Sequence, residues 1–226
     1  MYRHQYVDEK TVNEGIKKVI FKLIIGLFIS FLAMFVVYNV ESLTLFIDNY
    51  TKELLALAFI FPVFFTLTIN RFNIKFMNFM LLMYSILAGL PLVYTIFKYG
   101  STLIVLSIGA TTVIFTLMAM FAYHTNEDLE RERVLLKISL FFLIITYLVN
   151  MYFGVYILHW ILAYWALINF TGLVGYDFQH VKKELSEAVV QNDSFERISL
   201  TGTLQFYLNF IILSLVLLNI FGKILI

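Results

Sequence analysis

Between Lys98 and Glu127 the chain carries no Asp, Glu, Lys or Arg, and none again between Arg197 and Lys223. The hydrocarbon core of a bilayer is about 30 Å thick and takes roughly 20 apolar residues of helix to cross. Both runs are long enough. Seven such stretches can be drawn, at about 19–39, 54–70, 76–97, 102–123, 134–153, 155–177 and 198–222. Lipid offers no partners to a bare backbone, so spanning segments must satisfy their own hydrogen bonds as helices or as a closed barrel. A barrel needs segments of about ten residues with alternating polarity. Phe-Leu-Ile-Ile-Thr-Tyr-Leu-Val at 142–149 does not alternate. The expected fold is therefore all-α, a polytopic membrane protein with seven transmembrane helices.

Composition narrows the function classes. Hydrophobic residues make up 61% of the 226 and charged residues 14%, whereas a soluble domain is nearer half apolar and a quarter charged. That excludes a soluble enzyme. The absence of Cys removes disulfides, zinc–thiolate sites and a cysteine nucleophile. A formal charge of +1 gives no reason to expect nucleic acid as a partner. No hydrolase, kinase, P-loop or zinc motif is present, so no enzymatic activity and no cofactor are expected. A retinal protein needs a lysine in the middle of its last helix, and Lys223 stands at the far end.

The first stretch follows Lys17-Lys18 as a signal peptide would. Its apolar run is too long for a typical signal and no small-x-small site follows Tyr38, so it reads as a retained helix after a cytoplasmic tail, residues 1–18. Orientation follows from Lys and Arg on alternate sides of the spans. One side holds Arg3, Lys10, Lys17, Lys18, Lys22, Arg71, Lys75, Arg131, Arg133, Lys137, Lys182, Lys183 and Arg197, and the other Lys52, Lys98 and Lys223. This places the N-terminus in the cytoplasm and, after seven crossings, the C-terminus outside.

Few polar residues lie within the spans, and each is costly there. Lys22 is expected to snorkel to the headgroups. Arg71 ends the second stretch and Asp177 the sixth, both on the cytoplasmic side. Asn209 lies about ten residues into the last stretch and needs a partner inside the bundle. Ser107, Thr111, Thr112 and Thr116 with Gly109 suggest a close-packing side of the fourth helix, and Gly172 and Gly175 let a neighbour approach the sixth. Glu127 and Arg131 are spaced as an i,i+4 pair, so 126–133 reads as a solvated helical extension. Asn-Tyr-Thr at 49–51 falls on the outer side, where it would accept a glycan only in a secretory pathway.

Three places then resemble the Bax inhibitor family of seven-helix membrane proteins. Gly-Tyr-Asp-Phe-Gln at 175–179 is similar to that family's Tyr-Asp-x-Gln before a basic loop. Tyr-His-Thr-Asn-Glu-Asp-Leu at 123–129 is similar to its Thr-x-x-Asp-Leu loop. Phe-Tyr-Leu-Asn-Phe at 206–210, with Ile-Phe-Gly at 220–222, is similar to its Leu-Tyr-Leu-Asp-Phe and terminal Phe-Gly. The resemblance implies six helices around a central C-terminal one and a calcium leak across the membrane. It also implies a latch in which two aspartates, on the sixth and seventh helices, lie near an arginine of the second. These carry over onto Asp177, Asn209 and Arg71, and Asn209 is a departure because it stands where the family has an acid.

Two close carboxylates share a proton and titrate as a pair. An amide keeps the shape but does not titrate near neutral pH, so the latch is expected to survive as Asp177 with Arg71 and Asn209 while its pH response weakens. Calcium takes six to eight oxygen ligands, and the spans offer few, so Asp177 is expected to be a weak point on a Ca²⁺ pathway rather than a tight site. The expected function is a passive, pH- or latch-gated calcium (cation) leak channel with the lipid bilayer and Ca²⁺ as partners. The alternative is a non-conducting regulator that binds other membrane proteins such as proteases or cell-death factors. The expected site is the cytoplasmic (inner) membrane in a bacterium.

Overall fold

The computed structural model describes residues 9–50, 72–90, 92–125, 127–188 and 192–225, together with positions 54, 57 and 61. Among them run seven helices and no strand: α1 (Glu9–Tyr38), α2 (Glu41–Asn49), α3 (Ile74–Gly89), α4 (Leu92–His124), α5 (Glu130–Phe153), α6 (Tyr156–Glu187) and α7 (Asn192–Leu225). Four of these are long and apolar enough to cross a membrane, namely α1, α4, α6 and residues Phe195–Ile224 of α7, and two shorter apolar segments are Ile74–Gly89 and Val134–Asn150. The protein is all-α and multi-pass. Its outward faces carry side chains that water would reject, with Val105 71% and Ile168 73% exposed. Apolar exposure on this scale is what a lipid-facing surface requires.

Local sequence explains the element ends. Asn73 is extended and its side chain accepts from the Phe76 amide at 2.8 Å, which caps the start of α3. Gly154 is left-handed (φ 65°) and donates to the Asn150 carbonyl at 2.7 Å, ending α5. The Asn150 side chain accepts from the Val155 amide at 3.0 Å, so this buried asparagine serves the turn rather than a neighbouring helix. Within α4, Gly100 (φ 78°, ψ 159°) breaks the helix.

The expected third stretch, 76–97, is thus divided between α3 and the first turns of α4, and the fourth begins after Gly100. The expected second stretch, 54–70, lies outside the described residues apart from 54, 57 and 61, which are helical. The helical extension expected at 126–133 starts only at Glu130, so Glu127 precedes the helix. Side-chain acceptors compete for the backbone here: the Glu127 amide donates to the Thr125 hydroxyl at 3.2 Å.

The last helix is the most enclosed of the long spans. Of its apolar segment 56% is buried, against 28%, 22% and 28% for α1, α4 and α6.

The chain divides into two compact units. The first comprises Met1–Gly100 and Val181–Tyr207. Its apolar cluster joins Met34, Val37, Ile47 and Val93, and its helices meet through small residues. A Cβ at Gly89 would overlap the Ser30 backbone, 2.9 Å from its Cα, so α1 and α3 touch backbone to backbone. The second unit comprises Ser101–His180 and Leu208–Ile226. Its core is Leu143, Ala166, Phe170, Leu213 and Leu217, drawn from α5, α6 and α7.

Candidate functional site

In the second unit, α6 brings Asp177 and α7 brings Asn209 into an apolar environment. Asn209 is buried and Asp177 half-buried. The Asn209 Nδ2 donates to Asp177 Oδ2 at 2.6 Å. A charged acceptor shortens and strengthens such a bond. Asn209 must find a partner in a bilayer, and a carboxylate is the strongest acceptor a side chain offers. Two of the three residues expected to form a latch are therefore in direct contact, and the third, Arg71, lies outside the described residues. Among the described residues no group of three or more His, Asp or Glu converges as a metal site would.

Described side chains near this pair along α7 pack against α4. Phe210 meets Phe115 of α4 edge-on with ring centroids 5.9 Å apart. One helical turn further along α7, Ser214 donates to the Thr111 hydroxyl at 3.1 Å, and Thr111 donates to the Ser107 carbonyl at 2.8 Å. The hydroxyl set of the fourth stretch thus splits. Ser107 and Thr111 are buried, while Thr112 and Thr116 are exposed and bond back to their own helix. Gly109 has open space where a Cβ would stand, so it is no packing glycine. Gly172 and Gly175 do admit neighbours: a Cβ there would lie 2.9 Å from Leu136 and 3.0 Å from Met118.

Just beyond Asp177, Gln179 uses both ends of its amide. Its Oε1 accepts from the Leu129 amide at 2.9 Å and its Nε2 donates to the Glu127 carbonyl at 2.7 Å. Sequence reading placed Gln179 in a motif and gave it no task. The available signal was that Gln179 and the 123–129 motif are both expected at helix ends on the same side of the membrane.

In the first unit a second polar cluster was missed. The Ser30 hydroxyl meets the Tyr207 hydroxyl, the Ser85 carbonyl at 2.5 Å and the Gly26 carbonyl at 3.1 Å. Tyr84 packs edge-on against Tyr207 at 5.2 Å. The signal was the i,i+4 spacing of small residues, Gly26 with Ser30 and Ser85 with Gly89, which marks close helix crossings in membranes. Lys22 also departs from expectation. It pairs with Glu196, which Lys18 reaches as well at 3.0 Å. A carboxylate near the start of α7 offers the ammonium a stronger partner than hydrated headgroups.

A family profile described as "Inhibitor of apoptosis-promoting Bax1" matches residues 12–224. An uncharacterized protein of Borreliella burgdorferi is 29% identical over 218 residues, 93% of this chain and 92% of that one. The Escherichia coli K12 protein named inner membrane protein YbhL is 34% identical over 149 residues, 63% of this chain and 61% of that one. An uncharacterized protein of Helicobacter pylori is 26% identical over 163 residues, 70% of this chain and 66% of that one.

Proposed function

Since the chain belongs to the Bax inhibitor family, we propose that it is a passive cation leak whose cargo is Ca²⁺ and whose latch is the Asp177–Asn209 contact. The observation that carries this reading is the 2.6 Å hydrogen bond between the sixth- and seventh-stretch residues. A carboxylate that accepts from a neutral amide joins α6 to α7 without a proton shared between the two. Coordination by one carboxylate is weak, which suits a leak and not a high-affinity store. Arg71 enters as the third member through the family resemblance alone.

We further infer that the protein resides in the inner membrane, as the name of the Escherichia coli relative states for that protein. The imbalance of Lys and Arg supports a cytoplasmic N-terminus, with Asp177 toward the cytoplasmic leaflet. It does no chemistry on its cargo, so we do not read it as an enzyme.

Purified protein in liposomes loaded with a calcium indicator tests the proposal. The expected result is flux that falls when Asp177→Asn removes the carboxylate. Liposomes that stay tight, or flux indifferent to Asp177→Asn, would abandon the channel in favour of a regulator that binds other membrane proteins. The replacement of the family's second acid by Asn209 would then be its natural explanation.

A further inference from the structure

The geometry points to Gln179 as a positioning residue that sets Asp177 by tying the α4–α5 connection to α6. This rests on the latch reading above and extends it to the element that holds the latch in place.

Asp177 and Gln179 are two residues apart on one helix, so their side chains leave it about 200° apart. Asp177 reaches Asn209 on α7, and Gln179 reaches the connection between α4 and α5. The end of α6 is thereby held from two sides. Two further contacts grip it on the connection side, and one hydrogen bond shapes the connection itself. Leu129 lies against α6 at Gly175, 3.8 Å from where a Cβ would stand, an ordinary van der Waals contact. Phe178 meets Tyr123 edge-on with ring centroids 6.5 Å apart. The Thr125 hydroxyl accepts from the Glu127 amide at 3.2 Å and shapes the turn.

The chemistry of Gln179 suits this task. A primary amide carries a donor and an acceptor in one plane, as a peptide group does. It can therefore pair with one backbone N–H and one backbone C=O of a segment that has left its helix. Leucine in its place satisfies neither group, and glutamate satisfies only the Leu129 amide. Without the tie, α6 keeps Asn209 as a partner for Asp177 but loses the opposing hold. The Asp177–Asn209 contact then becomes transient.

The natural absence of Cys makes a direct test clean. A chain carrying Asp177→Cys and Asn209→Cys is treated in liposomes with a short bifunctional thiol cross-linker, with Gln179 intact or changed to Leu. Calcium flux is measured in parallel for Gln179→Leu, Asn209→Leu and the double variant with native Asp177. The expected result is cross-linking slowed several-fold by Gln179→Leu. Flux should rise several-fold in Gln179→Leu and go no higher in the double variant than in Asn209→Leu, because both changes release one latch. A merely structural role would lower the yield of folded protein without this non-additivity.

Unchanged cross-linking in folded Gln179→Leu protein overturns the inference, whatever the flux. Slowed cross-linking in a protein that conducts no calcium keeps the inference and discards the leak. If Gln179→Leu does not fold, Gln179→Glu carries the same comparison with an intermediate effect expected, and a rate equal to that of the parent protein overturns the inference.

Discussion

Asn209 donates its amide to the Asp177 carboxylate across 2.6 Å, in the place where the resemblance implies two acids facing one another. An amide–carboxylate pair has one titrating member instead of two. Its cohesion therefore does not depend on a shared proton, and on the proposed reading the steep two-proton response of a coupled dyad is not expected.

Changing the amide should change both the flux and its pH dependence. Asn209→Leu removes the donor and keeps the carboxylate, so calcium flux in liposomes should rise while Asp177→Asn lowers it. Asn209→Asp should install a pH response. Two close carboxylates raise one another's proton affinity and hold together while they share a proton. The latch should thus be closed at the acid end and open as pH rises through the raised pKa. A flux–pH curve for Asn209→Asp that superimposes on that of the native chain would show that this contact does not gate.

The contact of α1 with α7 in the first unit should show in salt. Glu196 takes Lys18 and Lys22 together, at a site that is partly exposed, where such pairs contribute ~0.5 kcal/mol. A double-mutant cycle with Lys22→Ala and Glu196→Ala, read by thermal unfolding in detergent, should give a coupling of that order. It should shrink at high ionic strength. Coupling that grows with salt would mean that the charges are not what joins them.

Backbone contact between α1 and α3 sets a different scale. Gly89→Ala drives a methyl into the Ser30 backbone and should cost ~1–3 kcal/mol, as overpacking does. Tyr207→Phe deletes one hydroxyl from the Ser30 cluster and should cost ~1 kcal/mol. The two unfolding temperatures in detergent should fall in that order, and an equal or reversed ranking would show that the helices can move apart freely.

Two turn glycines should differ in the same assay. Gly154 is in the left-handed helical region (φ 65°, ψ 27°), which alanine enters at a cost of ~1 kcal/mol. Gly100 (φ 78°, ψ 159°) occupies a region that is essentially glycine-only, where strain reaches ~1–3 kcal/mol. Gly100→Ala should be the more destabilising, and it should perturb the break inside α4 rather than the end of α5.

Where several of the helices run was legible because span length and end signals are local. The apolar runs at 134–153 and 198–222 lie within α5 and α7, and Asn73 and Gly154 mark ends through neighbours a few residues away. Helices such as α6, which continues to Glu187 past an expected end at 177, exceed those limits. Hydrocarbon thickness fixes only the apolar part, and polar turns extend it into the interface. The contact of Asp177 with Asn209 was anticipated from motifs alone.

What only the tertiary structure decided is which side of each helix meets another helix. Lipid is as apolar as a protein interior, so leucine facing lipid and leucine facing a neighbour read alike, and no polar stripe reveals the rotation of a span. Lys22 was thus read against headgroups until Glu196, 174 residues away, proved to be its partner. Gln179 looked like one motif letter until its amide was seen to hold the backbone of Glu127 and Leu129. The sequence by itself determined that the chain must cross a membrane as helices, because backbone polar groups in lipid have no other partners. The rotational setting of those helices determined which few polar side chains are paired, because each pair needs two surfaces brought within hydrogen-bond reach.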